Sequence, residues 1–220
     1  MKPKRIVLIR HGQSEGNADP AVHALVPDYA LRLTPAGRLQ ALAAGETLRG
    51  LLGLEPAQVY VSPFFRTRET FAELNRAFPE GQLSYREEPR LREQEWGHQR
   101  SLADGAEVDR VRDAYGPFYY RIPDGESAAD VYDRVSDFFH TLHRDFDKPG
   151  FPPNALMVTH GMTIRLFLMR WFHWTVEEFE ALGNPENCAI IVMERQENGE
   201  YLLLTHMKER AVKHTWKFTI

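Results

Sequence analysis

The chain has 220 residues, 43% hydrophobic and 26% charged, which is the make-up of an ordinary globular protein with enough apolar material for one substantial core. Its formal net charge of −4, with both signs interleaved along the chain, excludes the broad positive field needed for nucleic acid or an anionic membrane, so any anion site has to be local. A single cysteine, Cys188, excludes an internal disulfide and a thiolate metal cluster, and fits a reducing compartment.

Lys4 to Ile9 is a short β-branched run that stops at Arg10, His11 and Gly12, and it reads as a buried strand emptying into a loop. Its apolar part, Ile6 to Ile9, is too short for a secretory signal, and no later run approaches the roughly 20 apolar residues that cross a bilayer. The expectation is a cytoplasmic protein. Thr34 and Pro35 form a helix start, followed by Leu39, Leu42, Ala43 and Leu48 near helical spacing. Val59 to Val61 reads as a second strand, and Pro63 as the opening of a helix that carries Arg66, Arg68 and Thr70 to about Phe78.

Leu83 to Tyr85 is a candidate third strand, and Arg90 to Gly105 has no clean period, which marks a long functional loop. Val131, Val135, Phe138, Leu142 and Phe146 trace one face of a long helix that starts near Ser127. Ala155 to Val158 is an apolar strand ending in Thr159, His160 and Gly161, with a helix from Met162 to about Phe172 directly after it. Cys188 to Met193 and Tyr201 to Thr205, separated by Glu197-Asn198-Gly199, read as a closing hairpin. No repeat, low-complexity tract or linker divides the chain. The β-α-β order predicts a single three-layer α/β/α domain over 1–220 with a mostly parallel central sheet.

Two of these strands end alike, in an apolar run, a polar residue and His-Gly. In an open α/β sheet, ligands gather beyond the carboxyl ends of the strands, so His11 and His160 are placed to face one crevice. Arg10 sets a permanent cation beside His11, and a guanidinium grips phosphate with two parallel hydrogen bonds. Arg66, at a helix opening, offers a second clamp where helix N-termini also favour anions, although Glu69 is available to pair with it instead. The other histidines among the nine, His23, His98, His140, His143, His173, His206 and His214, carry no such signal. His140 and His143 have a metal-like spacing but no third ligand beside them, and no metal is expected.

Arg10-His11-Gly12-Gln13-Ser14-Glu15-Gly16-Asn17 resembles the RHG signature of the histidine phosphatase superfamily, whose fold is named phosphoglycerate mutase-like. Ser62 to Thr70 (SPFFRTRET) resembles the second segment of that family, Leu91 to Gly97 (LREQEWG) its L-x-E loop, and Val158-Thr159-His160-Gly161 its second-histidine motif. Arg121 to Arg134 and Phe167 to Glu178 are similar to the plant-type phosphoglycerate mutase-like proteins and their bacterial and fungal relatives.

The resemblance implies that His11 is the residue phosphorylated in turnover, that Arg10, Arg66 and His160 form a cationic phosphate pocket with Asn17 and Gly161, and that Glu93 is the proton donor. Glu95 is the rival for the acid role. It implies no cofactor and no metal, and a small phosphorylated substrate as partner. Neither nucleic acid nor membrane is expected as a partner, while a homodimer is left open. Gln13 departs from the glutamate usual in mutases, and the chain lacks a basic insertion enclosing the substrate. A phosphatase acting on small phosphomonoesters therefore leads over a phosphoglycerate mutase and over a catalytically silent module that only captures phospho-ligands. Asp19 to Leu33 and Arg100 to Pro123 are expected to cover the pocket mouth, and their aromatic and neutral residues favour a small ester over a polyanion.

Overall fold

The computed structural model describes residues 2–97 and 102–210. Six strands, β1 (Arg5–Arg10), β2 (Ala57–Val61), β3 (Leu83–Glu87), β4 (Asn154–Thr159), β5 (Ile190–Arg195) and β6 (Tyr201–Leu203), form one sheet in the order β3-β2-β4-β1-β5-β6. The pairings β3-β2, β2-β4 and β4-β1 are parallel, and the closing hairpin of β5 and β6 adds an antiparallel edge beside β1. Seven helices are described: α1 (Glu15–Ala18), α2 (Pro35–Leu52), α3 (Phe65–Asn75), α4 (Leu102–Tyr115), α5 (Ala128–Phe146), α6 (Gly161–Phe172) and α7 (Val176–Glu180).

The layers follow from the two-residue period of the strands. Ile6 and Leu8 of β1, with Ala155 and Met157 of β4, pack on one face against Val131, Val135, Phe138 and Leu142 of α5 and Ile164 and Leu168 of α6. Val7 and Ile9, with Leu156 and Val158, pack on the other face against Leu48 and Leu52 of α2 and Phe71 and Leu74 of α3. Strands β1 and β4 are covered on both faces, which is why they read as unbroken apolar runs.

Local chemistry sets the long helices. Thr34 caps α2 by accepting from the Gly37 backbone N–H, with Pro35 in the first turn. Ser127 and Asp130 form a reciprocal capping box at the start of α5. α3 differs from its expected bounds. It begins at Phe65 because the Thr67 hydroxyl donates to the Ser62 and Phe64 carbonyls and holds Ser62-Pro63-Phe64 out of the helix. It ends at Asn75, where Ala77 and Phe78 make tighter three-residue hydrogen bonds ahead of Pro79.

The expectation of one irregular loop over Arg90 to Gly105 is corrected. The stretch opens in a 3-10 turn, Pro89–Leu91, and α4 starts inside it at Leu102. The sequence of α4, LADGAEVDRVRDAY, has too few apolar residues to show a helical stripe. His98 and His214 lie outside the described residues, as does most of the basic stretch from Lys208.

Candidate active site

Because β1 and β4 are parallel neighbours in register, with Arg10 opposite Thr159, the residue after each strand lands at the same end of the sheet. Those residues are His11 and His160, both buried, with ring centroids 5.2 Å apart and planes at 60°. The His11 backbone N–H donates to the Thr159 carbonyl at 2.9 Å, so the strand ladder extends into the site. Gly12 is required by packing, since a Cβ there would lie 2.5 Å from the Gly37 carbonyl oxygen of α2.

The ring of His11 has a defined tautomer. Its Nδ1 lies 2.7 Å from the Gly12 carbonyl oxygen, which can only accept, so Nδ1 carries the proton and Nε2 the lone pair. Burial, then the Arg66 and Arg10 cations, push its pKa well below the usual histidine value, so the imidazole stays neutral and nucleophilic. His160 is lowered in the same direction by burial, then by Arg66 and His11. Its Nε2 is 2.8 Å from the Ser62 hydroxyl, and its Nδ1 is buried without a partner among the described residues.

Arg10 donates from Nη1 to the Pro185 carbonyl at 2.6 Å and leaves its buried Nε unpartnered. Arg66 is buried in the first turn of α3, with its guanidinium 5.0 Å from the Phe64 ring centroid. Glu69 is not its partner. Arg66 donates to the backbone carbonyl of Asp28 at 2.6 Å and to its carboxylate at 3.0 Å, whereas Glu69 pairs with Arg32 and Arg38. Thr70 ties the two halves together, donating to the Arg66 carbonyl and accepting from the Gly12 backbone N–H.

Glu93 is partly buried. Its carboxylate accepts from the Gln94 backbone N–H at 3.0 Å and lies 3.4 Å from the Thr163 hydroxyl in the first turn of α6. Burial raises its pKa, with the Arg66 cation opposing. The segment that carries it has no ladder and is held by Arg134 of α5. One guanidinium donates to the carbonyls of Arg90 (2.6 Å), Arg92 (2.8 Å) and Glu93 (3.0 Å) and pairs with Glu126 at 3.1 Å. Glu126 also binds the Arg92 guanidinium and the Glu95 backbone N–H.

The family model of the histidine phosphatase superfamily (branch 1) matches residues 6–207, which include all of these side chains. The chain belongs to this superfamily. It is 44% identical to the phosphoglycerate mutase-like protein AT74 of Arabidopsis thaliana over 97% of this chain and 72% of that protein. It is 32% identical to the broad-range acid phosphatase DET1 of Saccharomyces cerevisiae, over 93% and 89% respectively. In fold it is similar to a mycobacterial glucosyl-3-phosphoglycerate phosphatase solved with VO3, with a TM-score of 0.73, 22% identity, and coverage of 93% of this chain and 99% of that one.

For this superfamily member, the geometry brings together His11, His160, Arg10 and Arg66, with Glu93 across the crevice. Gly161 opens α6, where a Cβ would lie 2.9 Å from Asn184, and the first-turn N–H groups of α6 add the positive end of a helix dipole. Asn17 stands further out. Its Oδ1 accepts from the Ser14 backbone and from Asn187, which also donates to the His11 carbonyl, so Asn17 braces the nucleophile loop and keeps only its amide hydrogens for a ligand.

Glu95 sits in the wall of an adjoining chamber. Burial, then Asp28 and Glu126, raise its pKa. Sequence reasoning passed over Asp28, Thr163, Asn187, Glu126 and the hub role of Arg134. Arg134 and Glu126 lay in a segment similar to the plant-type relatives and Asp28 in the expected pocket mouth, but the bonds of all five depend on long-range approach. His140 and His143 lie at the far end of the sheet, where His143 stacks on Trp171. Among the described residues no three His, Cys, Asp or Glu side chains converge as metal ligands.

Proposed function

We propose that this chain is a metal-independent phosphomonoester hydrolase that works through a phosphohistidine on His11. The observation that carries the reading is the set of unused groups in the crevice. The Nε2 lone pair of His11 is oriented by the Gly12 carbonyl, beside buried Arg10 Nε and His160 Nδ1 atoms that have no partner among the described residues. A buried polar atom without a partner costs free energy, and a phosphoryl oxygen accepting from the Arg10 Nε–H relieves that cost.

In the first step the Nε2 lone pair attacks phosphorus, the ester P–O bond breaks, and protonated Glu93 gives its proton to the leaving alkoxide. Arg10, Arg66 and His160 carry the charge on the equatorial oxygens, a role that in other enzymes falls to a metal ion. In the second step Glu93, now a carboxylate, takes a proton from water. The resulting hydroxyl oxygen bonds to phosphorus, the N–P bond breaks, and phosphate leaves. The likeness to a broad-range acid phosphatase supports water as the acceptor. A mutase would follow the same first step and hand the phosphoryl group to a bound alcohol, as the name of the plant relative allows.

The test is to quench the enzyme during turnover of a labelled phosphomonoester in EDTA. An acid-labile, base-stable phosphoenzyme is expected on the wild type and none on His11→Ala, with unchanged turnover in the chelator. Label retained by His11→Ala, or activity lost in EDTA and restored by a divalent ion, overturns the mechanism.

A further inference from the structure

A cavity of about 820 Å³ opens beside the crevice, lined by the 23–29 segment on one side and by Arg92, Glu95, Trp96 and Gly97 on the other. Two of its lining residues touch the crevice side chains. Phe64 lines the cavity and packs edge-on against His160 at 5.2 Å, and Asp28 lines it while binding Arg66. The chamber is thus placed beside the groups that would hold a phosphoryl group at His11.

The chamber wall combines aromatic rings and aliphatic side chains with one carboxylate, Glu95, that makes no ion pair among the described residues. Tyr29, Phe64 and Trp96 supply rings, and the buried Arg112 guanidinium lies 5.1 Å from the Trp96 ring centroid and holds that ring from behind. Among the described lining residues the one permanent cation is engaged: Arg92 is bound to Glu126 at 2.7 Å. Glu95 has no cation within ion-pairing distance among the described residues, whereas the Asp28 carboxylate is paired with Arg66. A substrate carboxylate or second phosphate there would meet the like charge of solvent-exposed Glu95 at short range, inside the Debye length of about 8 Å.

We propose that this chamber is a leaving-group subsite selective for phosphomonoesters of uncharged alcohols with a flat apolar face, with Glu95 rejecting anionic alcohols and Trp96 providing the platform. The proposal rests on the phosphatase reading above and assigns its substrate class. It sets the chain against phosphoglycerate as a preferred substrate, because the alcohol portion of that ester bears a carboxylate.

The experiment compares kcat/KM for three alkyl esters, 2-phenylethyl phosphate, glycerol 1-phosphate and 3-phosphoglycerate, with nitrophenyl phosphate as a control that needs little help in leaving. The wild type is expected to prefer phenylethyl over glycerol phosphate, and glycerol phosphate over phosphoglycerate, each by roughly tenfold. Glu95→Gln should narrow the second gap and leave the first. Trp96→Ala should narrow the first and leave the second. Because each readout is a ratio within one variant, a general loss of activity does not mimic either result. Turnover of nitrophenyl phosphate with no preference among the three esters, or gaps unmoved by both substitutions, overturns the subsite alone. No phosphate release from any of the four compounds overturns the phosphatase reading itself.

Discussion

At the phosphate end of the cleft, His11 and His160 sit one residue beyond neighbouring parallel strands, and backbone groups fix both position and tautomer. At the alcohol end, Glu93, Glu95 and Trp96 ride on a segment without a strand ladder, held by the side chains of Arg134 and Glu126. A backbone ladder is many weak bonds shared over two strands, whereas a side-chain hub concentrates the same task in one residue. Chemistry at the first end is therefore lost by changing the reacting groups, and chemistry at the second can be altered from α5, by residues that need never touch substrate.

The largest effect that sharpens this contrast comes from Glu93→Gln. It should slow alkyl esters by about a hundredfold to ten-thousandfold and leave nitrophenyl phosphate nearly unchanged, because nitrophenolate departs without a proton. Equal losses for both substrates would remove Glu93 from the acid role and make Glu95 the next residue to test. Arg66→Ala should cost about a hundredfold to a thousandfold on both kinds of ester, since it removes contacts to the transferring group itself. A loss confined to alkyl esters would place Arg66 on the leaving-group side.

Arg134→Lys should be milder, roughly tenfold, and it should fall on alkyl esters alone, since a lysine cannot reach three carbonyls and Glu126 with one planar fork. A uniform loss, with a lowered Tm, would reduce Arg134 to a purely structural part. The smallest effect is on the pH profile. Burial raises the Glu93 pKa, so its protonated form survives to higher pH than a free glutamic acid, and alkyl-ester turnover declines as pH rises through that raised value. The decline should be absent for nitrophenyl phosphate and in Glu93→Gln. A profile falling identically for both substrates would assign that limb to another group.

The same contrast explains what the sequence made legible. Strands that end in His-Gly, the Thr34-Pro35 start of α2 and the stripe on α5 each carry their information within a few residues, and the structure places them as read. The mostly parallel sheet also followed from the β-α-β order, whereas the direct pairing of β1 with β4 was not readable from either strand alone. Arg66 shows the limit. Its neighbour in sequence, Glu69, is taken by Arg32 and Arg38, and its partner Asp28 arrives from a 3-10 turn that no hydrophobic period announces. α4 was missed for a related reason, since a helix with little buried face leaves little periodicity to read.

The separation of the two imidazoles has its own origin. Neighbouring strands in a sheet lie about 4.8 Å apart, and the 5.2 Å between the His11 and His160 rings is close to that spacing because each ring is the next side chain off its strand. The hydrogen-bond ladder acts as a gauge block, and no loop motion can widen the jaw it sets. A deletion of one residue within β1 would exchange its Ile6–Leu8 and Val7–Ile9 faces and turn His11 away together with the core. On the mechanism proposed above, substrate range is thus free to drift at the chamber, where no gauge applies, while the bite on the phosphoryl group stays at one setting.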